Sequence, residues 1–159
     1  MKKIVLAIIA GIIPLVLPAA STDFWFRHFS VEDGLSSNSV RAIMQDKYGF
    51  MWLGTDDGLN RYDGTTIKVY NLNPQGSNDY ISSLYDTTDN IWIGTEDGVY
   101  IFDYETENFE PFKVLTAQGD SIKSNVNHIA EDRDGNLWFS TVGQGIFKYN
   151  ISKHYLEPV

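Results

Sequence analysis

Carboxylates make up most of the chemically capable side chains in this 159-residue sequence, and they are spread along its whole length. The run Asp132-Arg133-Asp134-Gly135-Asn136 has the composition of a calcium loop. An EF-hand loop needs glycine at its sixth position and glutamate at its twelfth. Here glycine is fourth and Gly143 is twelfth, so the run is not one. His28, His128 and His154 lie far apart and share no metal-ligand spacing. The absence of cysteine removes disulfides, thiolate nucleophiles and cysteine-type zinc sites together. No phosphate-binding glycine loop, nucleophile elbow or zincin motif is present. General acid–base work needs two carboxylates at a set separation, and no pair stands out from the many acidic residues. The sequence therefore nominates no catalytic residue, no metal ligand and no cofactor. It predicts a non-enzyme, and it leaves the ligand-binding residues unassigned.

The net charge of −9 bears on partners. Such a surface repels phosphate backbones and anionic membranes, so no nucleic acid partner is expected. Many of the acids sit in Asp-Gly or Asp-Asn pairs, where they serve as turn formers.

The first 21 residues read as an address. Lys2 and Lys3 precede an apolar run over 4–17, followed by Pro18, Ala19, Ala20 and Ser21. A basic start, a short apolar stretch and small residues form a secretory signal peptide. Cleavage is expected after Ser21, with Ala19 the near alternative. No later apolar run is long enough to span a membrane, so a periplasmic product is expected.

The elements that would hold any site come from a repeat. Trp52, Trp92 and Trp138 are 40 and then 46 positions apart. Asp46, Asp86 and Asp132 each precede the tryptophan by six, and Thr55, Thr95 and Thr141 each follow it by three. Each copy continues into a glycine (Gly58, Gly98, Gly145) with an aromatic four residues on (Tyr62, Phe102, Tyr149). A period of about 40–45 residues with four short strands per copy is that of a propeller blade. Apolar residues alternate or run in fives, which fits strands and not helices. The expected strands are 40–45, 51–55, 59–63 and 66–72; then 81–85, 91–95, 99–103 and 108–113; then 126–131, 137–141, 146–150 and a weaker 153–157. The fold class is all-β: a partial β-propeller of about three four-stranded antiparallel blades (39–72, 80–113 and 125–157) behind an N-terminal signal helix.

Within this pattern the tryptophans are read as packing between blades, since an indole buries a large area. The threonines belong to strand ends and the glycines to turns. Four departures stand out, the first being a third loop, Val142-Gly143-Gln144-Gly145, that is one residue longer than the others. Asp89 replaces the turn glycine of the other copies, and its residue type tolerates a left-handed turn. The second copy is one residue shorter before its tryptophan. Ser140 stands where the others have Gly54 and Gly94.

These motifs resemble the two-component regulator propeller family. Asp132 through Trp138 and Trp92 through Val99 match its blade signature, and the stretch from Phe29 to Val40 resembles the start of its sensor regions. The resemblance covers 24 to about 157. It implies a periplasmic sensor propeller, which in family members feeds a histidine kinase through a membrane helix, often in response to oligosaccharides. No kinase motif is read in this chain, so signalling activity is not carried over, and no ligand contact transfers by motif. The expected function is an extracytoplasmic sensing or binding fragment for oligosaccharides. The alternatives are a fragment of a glycan-active propeller enzyme and a non-functional truncated product.

Propellers close with four or more blades, and three copies predict an open, curved array. Its exposed faces invite self-association or pairing with further repeats. Residues 24–29 are expected to form a strand that is unpaired or added at another blade's edge. Neither terminal repeat shows an obvious polar cap.

Overall fold

A computed structural model describes residues 25–72 and 79–159. The signal sequence 1–21, with its expected helix, and Phe24 lie outside the described residues. Three sheets follow one another in the chain, each an antiparallel meander of four strands. Blade 1 is β1 (Val40–Gln45), β2 (Met51–Thr55), β3 (Gly58–Tyr62) and β4 (Ile67–Tyr70). Blade 2 is β5 (Ile81–Asp86), β6 (Asn90–Thr95), β7 (Gly98–Asp103) and β8 (Phe109–Pro111). Blade 3 is β9 (Val126–Glu131), β10 (Asn136–Thr141), β11 (Ile146–Asn150) and β12 (Tyr155–Pro158). The outermost strands of blades 1 and 2 are shorter than the alternation suggested. Each is an edge strand, and β8 ends on Pro111, which has no N–H to extend a ladder.

Alternation along the central strands gives each blade two working faces. Trp52 and Leu59 leave one face of blade 1 and meet Ile81, Ile91, Ile93 and Phe102 of blade 2. Trp92 and Val99 leave the other face of blade 2 and meet Val126, Ile129, Leu137 and Phe139 of blade 3. The core is thus two apolar layers between sheets, and the tryptophans of blades 1 and 2 pack as the repeat predicts. β5 packs on β1 and β2, and β9 packs on β5 and β6. The first and third blades share no comparable packing among the described residues, so the array is open.

One reading of the glycines is corrected. Gly58 and Gly98 do turn the chain, with φ of 119° and 128°. Gly54 and Gly94 instead lie inside β2 and β6, where the next blade's innermost strand comes close. A Cβ on Gly54 would lie 2.5 Å from Ile81 Cγ2, and one on Gly94 would lie 2.7 Å from the Val126 carbonyl oxygen. The innermost strands carry a register shift beside these positions, between Val40 and Ala42 and between Ile81 and Ser83. Such bulges sharpen twist and re-aim side chains. Ser140, in the third copy, occupies the position where the described residues supply no following strand.

The N-terminal segment also departs from expectation. Residues 25–29 form no strand, and Trp25 and Phe26 are 92% and 94% exposed. The chain that follows does act as a polar cap on blade 1. Asn60 points to the face opposite Leu59 and is fully buried. Its Oδ1 accepts from the Ser36 backbone N–H at 2.9 Å, and its Nδ2 donates to Ser36 Oγ at 2.8 Å. Phe29 packs on Tyr62 of the same face, with ring centroids 4.8 Å apart. A 3-10 turn, Val31–Asp33, holds this segment through a capping box at Ser30.

Candidate ligand clefts at the blade junctions

The spacing of Asp six residues before Trp has a local cause in blades 1 and 3. Asp46 sits at the start of the β1–β2 turn and accepts from the backbone N–H groups of Tyr48 and Phe50, each at 2.9 Å. Its second oxygen accepts from Trp52 Nε1 at 2.7 Å. Asp132 repeats the clasp with the N–H groups of Asp134 and Asn136 and with Trp138 Nε1 at 2.8 Å. The bonds from Trp138 and Asn136 hold the Asp132 carboxyl well below the usual carboxylate range. The acidic run 132–136 is therefore a hairpin clasp, and no group of three or more potential metal ligands occurs among the described residues.

Blade 2 breaks the clasp. Its first hairpin closes between Thr87 and Asn90, one residue shorter than the turns between Asp46 and Phe50 and between Asp132 and Asn136. Trp92 accordingly pairs with Tyr85, whereas Trp52 pairs with Met44 and Trp138 with Ala130. Asp86 thus falls in the register of Gln45 and Glu131, and Thr87 takes the place of the clasping aspartate. Asp89 does not adopt the left-handed backbone expected of it, because the shorter turn does not require one. The consequence is a buried Trp92 Nε1 with no hydrogen-bond partner. The cross-strand neighbour changes as well. Arg61 lies over the Trp52 ring at 5.7 Å and Lys148 over the Trp138 ring at 5.5 Å, but Ile101 is paired with Trp92.

Asp86 is used elsewhere. It accepts from the Lys47 backbone N–H at 3.0 Å and from the Tyr104 hydroxyl at 2.8 Å, tying blade 2 to the blade 1 turn. Burial, helped by Asp86, pushes the Tyr104 phenol far above its ordinary value, so it stays a donor. The Lys47 ammonium lies over the Tyr104 ring at 4.4 Å and donates to the Thr88 carbonyl. Around this latch the first junction has two clefts, of about 220 Å³ and about 370 Å³.

The second junction is tied by the Tyr85 hydroxyl, which donates to Glu131 of blade 3 at 3.2 Å, and it opens into a cleft of about 450 Å³. Trp92, Ile101, Phe112 and Tyr149 form its apolar wall, while Asp103, Glu110, Lys113 and His154 supply polar groups. Of the three histidines, His154 lines this cleft, and His28 and His128 are exposed. His154 holds a left-handed backbone, φ 49°, and its Nδ1 shares a 3.0 Å hydrogen bond with the Tyr149 hydroxyl. Sequence reasoning missed this cleft. The shortened second hairpin was visible in the sequence, but its effect on the indole was not.

The comparisons agree with this architecture. The sequence profile of the two component regulator propeller matches residues 34–57 and 121–143. Histidine kinase P4 of Formosa agariphila is 46% identical over 70 residues, which is 44% of this chain and 5% of that protein. The extracellular domain assigned to the hybrid two component system BT3049 of B. thetaiotaomicron aligns with a TM-score of 0.74 at 30% identity, over 84% of this chain and 20% of that one. The extracellular domain of BT4673 from the same organism shares the fold, with a TM-score of 0.67 at 23% identity over 80% of this chain and 17% of that one. The chain thus spans about a fifth or less of these relatives, and it resembles their extracellular regions and not a kinase domain. Among the described residues no helix is long and apolar enough to cross a membrane. The blades of this chain thus resemble the repeats of the two component regulator propeller.

Proposed function

We propose that this chain is a periplasmic, ligand-binding portion of a hybrid two-component sensor, with oligosaccharides as its ligands and no kinase activity of its own. The observation that carries the reading is the 30% identity to an extracellular hybrid-system domain over 84% of the chain. The basic and apolar leader supports export, and the blade clefts offer mixed apolar and polar walls of the kind small-molecule sites use. The outer face of blade 3, where Trp138 is partly exposed and Ile146 is exposed, fits packing against further repeats. The test is a thermal-shift screen of the exported chain against an oligosaccharide library. A reproducible rise in melting temperature with one glycan class is expected. No rise with any of them overturns the reading. The mass of the exported product checks the leader, which should be absent through Ser21.

A further inference from the structure

We infer that the cleft between blades 2 and 3 is a binding site for a neutral, hydroxyl-bearing small molecule, such as one saccharide unit, whose acceptor oxygen takes the hydrogen bond of the Trp92 indole N–H. The inference rests on the sensor reading above and adds to it a place and a chemistry. Its first support is internal. The same indole donates to a carboxylate in blade 1 and in blade 3, at 2.7 Å and 2.8 Å, while in blade 2 the shortened hairpin leaves it without an acceptor. An unpaired buried donor is destabilising, and a ligand oxygen would relieve it. Trp92 is itself 4% exposed and lines the cleft together with Asn90, while its Nε1 is closed off, so a ligand oxygen reaches the N–H as the lining side chains yield.

The second support is the rim. Glu107 and His154 are the only residues other than glycine with positive φ among those described, and each lines a junction cleft. Blade 1 has Gly64 in its corresponding last turn, which faces no preceding blade. A left-handed backbone disfavours a side chain, and here the His154 ring is fixed at the rim by its bond with the Tyr149 hydroxyl. Charge then selects the ligand class. The cleft carries Asp103 and Glu110 against Lys113, and the chain as a whole is at −9. An anionic ligand would meet net repulsion, whereas a neutral polyol brings acceptors for Trp92 and Lys113 and donors for the carboxylates. Its C–H faces match the wall of Ile101 and Phe112.

The test is calorimetric titration of the exported chain with neutral hexoses and their disaccharides, alongside glucuronate and galacturonate. Neutral sugars are expected to bind and the uronates to bind at least tenfold more weakly. Trp92→Phe keeps an aromatic side chain and removes the donor, and should weaken binding about tenfold. Thr87→Asp places a carboxylate in the register of Asp46 and Asp132, and should block binding while raising the melting temperature. In the unsubstituted chain, nitrogen-15 NMR should show the Trp92 indole N–H moving on titration, a readout that does not depend on any variant folding. Sugar binding that leaves this resonance and the Trp92→Phe affinity unchanged overturns the cleft and spares the sensor reading. Preference for the uronates overturns the ligand class. Binding of no saccharide at all overturns both.

Discussion

Trp52 and Trp138 have the same local partners and different fates. Each donates its indole N–H to an aspartate six residues earlier, and each has a cation from the next strand over its ring. Trp52 is fully buried because blade 2 lies on it, whereas Trp138 stays partly exposed because no described strand covers blade 3. The clasp is a property of one hairpin, and burial is a property of two sheets. The two ends of the array differ in the same way. Blade 1 is capped by its own N-terminal segment through Ser36 and Asn60, and blade 3 is bare.

The largest effect should separate the two tryptophans. Trp52→Ala should lower unfolding free energy by about 3–5 kcal/mol in denaturant titration, and Trp138→Ala by about 1 kcal/mol or less. Equal losses would mean that the outer face of blade 3 is covered in solution. Next come the small residues beside the bulges. Gly94→Ala drives a methyl into the Val126 carbonyl and should destabilise by at least about 1–3 kcal/mol, while Ser140→Ala should change little. A similar loss at both positions would break the comparison.

Removing the clasp itself isolates its local share. Asp46→Ala leaves a buried indole donor unpaired and should cost about 1–3 kcal/mol by the same assay. Asp132→Ala, at the more open end, should cost less. His154→Gly relieves the left-handed turn and should raise stability by up to about 1 kcal/mol. A loss instead would show that the Tyr149 bond outweighs the backbone strain. The smallest effect is in acid. Asp132 has a folded pKa below its unfolded value of roughly 3.9. Its stabilisation is therefore complete above that value and is lost as pH falls through the folded pKa. Carbon-13 NMR should show Asp132 titrating well below the usual carboxylate range, and titration within that range would refute the clasp.

Much of the fold was legible because the repeat constrains it. β1, β2, β9 and β11 span the residues the alternation assigned to them, since each is a short apolar run bounded by turn residues. The weak last strands were the least well placed, because edge strands are fixed by one neighbour only. The site was hardly legible. Asp86 has the same distance to its tryptophan as Asp46 and Asp132, so counting alone assigns it the same role. Loss of one turn residue moves it a register step, and a step of one turns a strand residue to the other face. Gly54 and Gly94 misled for a related reason. Glycine marks turns and close approaches alike, and which applies depends on a strand some thirty residues away.

The sequence by itself determined the blade as a unit, its four strands, and the Asp-to-Trp spacing that the clasps of blades 1 and 3 use, because these are set within a single meander by turn chemistry and alternation. Tertiary structure decided which indole is buried, which glycine admits a neighbour, that Ser36 caps Asn60, and that Trp92 faces a cleft without a partner. Those outcomes depend on how one sheet meets the next, and packing between sheets is fixed by surfaces that no single repeat contains.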